Sequence, residues 1–305
     1  MYISIIIPVF NSEKILNKLA NQISETLKNF KFEVYFINDC SNDNSWKIIE
    51  EITNKRKNFL GISFMKNFGQ DNAIMAGLNH CKGDIVIIMD DDLQHSPKDI
   101  PLLVEKCESG WDVCFADFRS QKKYSLYKKF MSYINSKIGN IVLKKPSNIY
   151  LSPFKALHKS VVKSIIQYDG PFPYIDGLIL RSTNSITQIS VKHFPREIGK
   201  SNYNFFKGTS VFLKHLTGFS IIPLRVAILI GVSSAILGFL LGLYYFFSYF
   251  LFGSNVEGWT TLIVTQLIIG GVILVSLGMI GEYVGRVYLL LNKSPQFIIK
   301  KKTND

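Results

Sequence analysis

Thirty-one consecutive residues between Arg225 and Glu257 carry no Asp, Glu, Lys, Arg or His, and Gly258 to Gly281 supply twenty-four more. A helix needs about 20 apolar residues to cross roughly 30 Å of hydrocarbon. Each run therefore predicts one span, at about 226–251 and 259–281. Uncharged runs this long are rare in the buried helices of water-soluble proteins. Residues 253–259 suit a tight turn, so 225–282 is expected to form a two-helix transmembrane hairpin with both ends on one face. Lys200, Lys207, Lys214 and Arg225 precede the pair, and Arg286, Lys293, Lys300, Lys301 and Lys302 follow it, while the turn carries only Glu257. The positive-inside rule then puts both flanks in the cytoplasm, with Trp259, Tyr283 and Tyr288 as interfacial aromatics. The segment 203–224 mixes Phe205, Phe206, Phe212, Leu213, Leu216 and Phe219 with Lys207, Lys214 and His215. It reads as an interfacial amphipathic segment, and 283–305 as a basic cytoplasmic tail.

Residues 1–202 read as a separate cytoplasmic domain. Met1 runs directly into Tyr2-Ile3-Ser4-Ile5-Ile6-Ile7, a buried strand rather than a signal peptide. Apolar runs at 2–9, 33–37, 60–65, 84–89 and 112–116 alternate with helical patterns at 12–29, 43–57, 70–82 and 97–109. That alternation predicts an α/β domain built on a parallel sheet covered on both faces, with ligands at the carboxyl ends of the strands. Cys40, Cys81, Cys107 and Cys114 lack CxxC spacing and are expected as free thiols. The 35 Lys+Arg against 23 Asp+Glu give +12, an attraction to something anionic.

The predicted strand ends carry the chemistry. The first ends in Pro8-Val9-Phe10-Asn11, with Glu13 close behind, and the second in Asn38-Asp39-Cys40-Ser41-Asn42-Asp43. The fourth runs into Asp90-Asp91-Asp92-Leu93-Gln94. Three successive carboxylates leaving a buried strand repel one another unless a cation or proton is present. Mg²⁺ typically takes one or two carboxylates together with substrate phosphates. Any single Asp here could instead cap a helix; Asp43 and Ser96, the latter before Pro97, suit that role. No GxGxxG or Walker lysine loop is present, so a nucleotide here is not held by a glycine loop.

Taken together, IIPVFNSE, FINDCSNDNS, KNFGQDNAIMAGL, IIMDDDLQHSP and FPREIGKSNY resemble, in order, the motifs of family 2 inverting glycosyltransferases of the Rossmann-like GT-A fold. More narrowly the chain is similar to the membrane-anchored polyprenyl-phosphate glycosyltransferases, since IIPLR, a hairpin and GEYVGR complete the pattern. The resemblance implies transfer of a sugar from a nucleotide-sugar, by family frequency a UDP-sugar, to polyprenyl phosphate at the cytoplasmic face of the inner membrane. The product would serve cell-envelope glycan modification. The resemblance further implies that Pro8, Asn11, Glu13, Asp39, Asn67 and Asp90 contact the nucleotide-sugar. Asp90, Asp92 and Gln94 would hold Mg²⁺ or Mn²⁺. Arg119, Arg196, Lys200, Ser201 and Tyr203 would engage phosphate or the lipid head. Asp92 would be the catalytic carboxylate of the acidic motif.

The chain departs from the family pattern at Asn38, at Cys40 where glycine is common, and at Asn202 where SKY has lysine. The acid that relatives carry before an FRL segment is missing from Tyr150-Leu151-Ser152-Pro153-Phe154-Lys155-Ala156-Leu157, which leaves Asp176 as the candidate base. Seven lysines interleaved with aromatics at 121–145 suit anionic lipid or acceptor phosphate rather than nucleic acid. Assembly through the spans, by way of Gly231, Gly238 and Gly242, stays open. So do an oligosaccharide or polysaccharide acceptor and an inactive membrane scaffold. A processive polysaccharide synthase would need a QxxRW motif, and none of Trp46, Trp111 and Trp259 supplies one.

Overall fold

The computed structural model describes residues 1–119, 145–146, 148–192, 194, 222–252, 258–292 and 294–303. Two compact units emerge: Met1–Asn202 together with Asn292–Asp305, and Tyr203–Leu291.

The first unit is organised around one mixed sheet. In chain order its elements are β1 (Tyr2–Val9), α1 (Leu16–Thr26), β2 (Lys31–Asn38), α2 (Ser45–Lys55), β3 (Phe59–Phe64), α3 (Gln70–His80) and β4 (Ile85–Ile88). A 3₁₀ turn (Pro97–Asp99) leads into α4 (Ile100–Glu108), followed by β5 (Val113–Asp117), β6 (Lys155–His158), α5 (Lys159–Ile165), α6 (Ile175–Ser182), β7 (Ile186–Ser190) and, far downstream, β8 (Ile299–Lys302). The described strands run in the order β7-β5-β6-β4-β1-β2-β3-β8. β1 is buried along almost its whole length, as a central strand covered on both faces must be. α1 covers one face with Leu16, Leu19, Ala20 and Ile23, the i, i+3, i+4, i+7 stripe of an amphipathic helix.

Two expectations need correction. The sheet is not purely parallel: β1 pairs in parallel with β2 and β4, and β2 with β3, but β6 lies antiparallel between β4 and β5. β6 follows the long excursion after β5 instead of a short crossover helix, so the right-handed βαβ return does not apply to it. The residues read as a basic tail likewise change character. Positions 283–291 continue the second long helix, and Ile299–Lys302 form β8 on the edge of β3, antiparallel to it. Exposed lysines are the usual protection of an edge strand, so Lys300–Lys302 carry the charge pattern of a tail and of an edge strand alike.

The second unit contains α7 (Ile222–Phe252) and α8 (Trp259–Leu291), which pack on each other. Leu224–Tyr244 and Thr265–Leu291 are long and apolar enough to cross a membrane. The consecutive residues Ile228, Leu229 and Ile230 point about 100° apart around α7 and are 58%, 65% and 50% exposed. Apolar side chains on every side of a helix require an apolar surrounding. The expected interfacial segment lies outside the described residues up to position 221.

Candidate functional site

The carboxyl ends of β1, β2 and β4 open on a cavity of about 280 Å³ lined by Pro8, Val9, Phe10, Asp39, Asn67, Gly69, Gln70, Asp90, Asp91 and Asp92. Backbone register makes this convergence unavoidable. β1 pairs Val9 with Asn38 and Ile6 with Ile88, so the residues that follow each strand emerge side by side.

Asp39 anchors the β2 side. Its carboxylate accepts the backbone N–H groups of Phe68 (2.7 Å) and Gly69 (2.9 Å), folding the loop after β3 around it. Burial pushes the Asp39 carboxyl upward, and those two hydrogen bonds oppose the shift. Cys40, the next residue, has φ +57°, the left-handed region, which explains why glycine is common in its place.

The acidic turn is the most strained part of the site. Leu93 sits at φ +57° in the middle of the DxDLQ sequence, a conformation that costs a non-glycine residue roughly 1–2 kcal/mol. Asp92 Oδ1 accepts the Gln94 N–H at 3.0 Å, closing the turn. Gln70 donates to Asp90 Oδ1 at 2.7 Å, and Ser12 Oγ donates to Asp91 Oδ2 at 2.5 Å. Asp91 thereby ties the loop after β1 to the acidic turn. Neither Gln70 nor Ser12 was predicted; Gln70 opens α3 and Ser12 lies in the loop after β1, and only the folded sheet brings them to the acidic run.

Other expected residues take supporting positions. Asn11 (φ +56°) accepts the Asn42 N–H through its side chain, and Glu13 accepts both the N–H and the side-chain amide of Asn44. The two stitch the β1 and β2 loops together and are not part of the cavity wall. Asp43, expected as a cap, stands one residue before the N-cap Asn44: it accepts Ser45 N–H and Glu13 N–H, and although burial pushes its carboxyl up, these bonds hold it below the usual range. Ser96 accepts the Lys98 N–H at the 3₁₀ turn, as expected. Gln94 contributes its backbone to the turn, but its side chain does not line the cavity. Arg119 grips Asp117 with two nitrogens and reaches the Asn148 carbonyl. Arg196, Lys200, Ser201 and Tyr203 lie outside the described residues, as does nearly all of the lysine-rich stretch before Lys145.

A second charged cluster adjoins the first. Lys155 on β6, 3% exposed, donates to Asp176 in the first turn of α6. It also lies close enough to Asp71 and Asp90 to stabilise both carboxylates. Asp71 accepts the Ile175 N–H at the start of α6. Asp176 is thus committed to an ion pair and is absent from the cavity wall. The sequence signal for this cluster was the FRL-like stretch itself, where Lys155 stands in the basic position.

Among the described residues no group of three or more His, Cys, Asp or Glu could by itself hold a metal. Asp90 and Asp92 still fit a hard divalent cation, because two carboxylates facing one cavity leave the remaining positions to substrate oxygens. Without that cation the carboxylates are penalised. Desolvation, then Asp92 and Asp91, raise Asp90 to about 7; desolvation and then Asp176 raise Asp71 to about 7; desolvation raises Asp91 to about 6. A carboxyl whose folded value exceeds its unfolded value stabilises the fold below the unfolded value, and loses that contribution as pH rises through the folded one. The metal-free protein is therefore expected to melt at a higher temperature at pH 5 than at pH 7.5. Mg²⁺ or Mn²⁺ should recover part of the loss at pH 7.5 and little at pH 5. Differential scanning calorimetry in EDTA and in 5–10 mM metal (roughly; enough to saturate a weak site) checks this, and equal stabilisation by metal at both pH values would refute it.

The sequence profile of glycosyl transferase family 2 matches residues 4–166. A prophage-derived bactoprenol glucosyl transferase of Shigella flexneri is 32% identical over 303 residues, covering 99% of this chain and 98% of that protein. An undecaprenyl-phosphate 4-deoxy-4-formamido-L-arabinose transferase of Proteus mirabilis is 31% identical over 98% of this chain and 93% of its own. Among solved structures, glucosyl-3-phosphoglycerate synthase from Mycobacterium tuberculosis, in complex with Mn²⁺, uridine diphosphate and phosphoglyceric acid, superposes with a TM-score of 0.54 at 16% identity. That likeness covers 71% of this chain and 76% of that one, and it carries the GT-A fold. The two long apolar helices make the protein membrane-associated. The family match and these relatives, which span nearly the whole chain, show that the chain belongs to glycosyl transferase family 2 and is a glycosyltransferase.

Proposed function

We propose that this enzyme transfers a sugar from a nucleoside-diphosphate donor to a polyprenyl phosphate at the cytoplasmic face of the membrane. The observation that carries the proposal is the run Asp90–Asp92 opening, beside Asp39 and Asn67, into one cavity of a chain that also carries two span-length apolar helices. The relatives named for bactoprenol and undecaprenyl phosphate favour that acceptor, and the uridine diphosphate bound by the structural neighbour favours a UDP-sugar.

In this reading Pro8, Phe10, Asn67 and Asp39 receive the base and ribose. Asp90 and Asp92 would hold Mg²⁺ or Mn²⁺, which would supply positive charge against the leaving diphosphate. Gln70 and Ser12 keep the acidic turn in place, so little reorganisation is needed when the donor binds. The acceptor needs no strong base, since a phosphate monoester is already largely anionic at pH 7. Its oxygen forms the new bond to the anomeric carbon from the face opposite the departing diphosphate, whose C–O bond breaks, and the configuration inverts. Asp176, held by Lys155, acts as a positioning group. Arg119, Arg196, Lys200, Ser201 and Tyr203 are assigned to the phosphate and the lipid head, for which arginine's planar fork is suited.

β8 supports the membrane topology. The chain after α8 pairs with the sheet of the domain that precedes α7, which favours a hairpin whose two ends share one face of the membrane. Two crossings fit that pairing, and the basic flanks favour a cytoplasmic side by the positive-inside rule.

Membranes containing the protein, short-chain polyprenyl phosphate, Mg²⁺ or Mn²⁺ and a panel of sugar nucleotides test the proposal by mass spectrometry. A metal-dependent lipid product one glycosyl unit heavier is expected, and EDTA abolishes it. No product from any donor by folded protein would overturn the acceptor assignment in favour of a lipid-linked oligosaccharide or an inactive scaffold.

A further inference from the structure

The segment after α8 does more than seal an edge. Gln296 donates its side-chain amide to the carbonyls of Tyr168 (2.7 Å) and Gly170 (2.9 Å). The Phe297 ring stacks on Phe64, with centroids 5.4 Å apart and planes 8° apart. Phe64 is 1% exposed and meets Phe68 edge to face at 5.7 Å. Phe68 in turn gives its backbone N–H to Asp39, the anchor of the cavity's β2 side. Three rings in contact therefore join the segment to a carboxylate of the donor cavity.

A hydrogen-bonded route runs parallel to this one. Ile298 accepts the Met65 N–H, and Thr303 both donates to the Gly61 carbonyl and accepts the Gly61 N–H through its hydroxyl. These bonds fix the end of β3 immediately before the Lys66–Gly69 loop. From the other side, Asn72 donates to the carbonyls of both Phe68 and Pro171, clamping that loop to the 168–171 stretch that Gln296 holds. The loop around Asp39 is thus braced from two directions, and both braces end on residues 296–303.

We infer that Gln296 and Phe297 are positioning residues of the donor site, setting affinity for the nucleoside diphosphate from the far end of the chain. This rests on the function proposed above. Neither side chain lines the nucleotide cavity, so their effect passes through the Phe68–Gly69 backbone to Asp39. The acceptor head is assigned above to a different set of residues, Arg119, Arg196, Lys200, Ser201 and Tyr203. The effect should fall on the donor and spare the acceptor.

The test uses full-length protein in nanodiscs and titration calorimetry with UDP, GDP and dTDP in the presence of Mn²⁺, followed by steady-state kinetics. Phe297→Ala is expected to weaken nucleotide binding roughly 3- to 10-fold, the worth of one aromatic pair, and to raise the donor KM equally. The acceptor KM and kcat should change less than about twofold. Phe297→Tyr should restore affinity, and the milder Gln296→Ala should shift it in the same direction should Phe297→Ala prove poorly folded. Wild-type binding with unchanged affinity in folded Phe297→Ala and Gln296→Ala would overturn the inference. So would a fall in kcat with donor affinity intact, or donor and acceptor KM rising together, since these mark a merely structural role. Failure of the wild-type protein to bind any of the three nucleotides would instead strike the proposed function itself, and the inference with it.

Discussion

Asp92→Ala is expected to lower sugar transfer by roughly a thousandfold, the scale of losing a charge-stabilising group in an enzyme of this kind. Asp92 reaches the cavity, and its Oδ1 also accepts the Gln94 N–H that closes the turn. Asp92→Asn separates these two jobs, because the amide keeps an oxygen acceptor while losing the charge. Both variants should be inactive, and Asn should retain the wild-type fold. Melting of the metal-free variants is informative as well. Removing one of three crowded carboxylates relieves Asp90, so neither variant should melt below wild type in EDTA at pH 7.5 by more than the cost of one turn hydrogen bond, about 1 kcal/mol. Transfer by Asp92→Asn at wild-type rate would remove Asp92 from the metal site.

Lys155→Met should cost about 3–5 kcal/mol of stability at pH 7.5, the range for removing one partner of a buried ion pair. The lysine side chain is 4% exposed and that of Asp176 19%. Its loss leaves Asp176, Asp71 and Asp90 facing one another without a cation from the protein. The penalty should shrink toward pH 5. Asp71 and Asp90, already raised to about 7, take up protons there and no longer need compensation. The double variant Lys155→Met/Asp176→Leu should recover much of the loss, since replacing a whole buried pair with apolar side chains is often close to neutral. Chemical denaturation of all three proteins at both pH values measures this. A pH-independent penalty in the single variant would show that the lost stability is packing rather than charge.

The alternation of strand and helix up to residue 117 was legible because each strand is a continuous apolar run and each helix a separate stripe. The sequence-predicted segments 2–9, 70–82 and 84–89 agree with β1, α3 and β4 to within two residues at either end. What could not be read was pairing between distant segments. β6 is four residues long, and nothing local says that it enters the sheet antiparallel between β4 and β5. β8 was hidden for a different reason, since three lysines on an exposed edge look the same as three lysines on a tail. In the site, the carboxylates were legible because like charges in a row demand an explanation. Gln70 and Ser12 were not, being ordinary residues whose importance comes from what the fold sets beside them. Asn11 and Glu13 had the residue types expected of ligands, but neighbouring loop amides claim their side chains first.

The edge pairing of β8 also imposes an order on biogenesis. Gly61 finds its Thr303 partner 242 positions later in the chain. At about 5–20 residues per second of synthesis, the open edge of β3 waits on the order of 10–50 s on the ribosome. During that interval both apolar helices are made and, in the proposed topology, are taken up by the bilayer. A nascent chain whose helices stall on the way into the membrane would leave β3 unpaired, with bare amides available to any extended strand nearby. Correct insertion of the helices and protection of the sheet from aggregation thus become one event, timed by the position of β8 behind them.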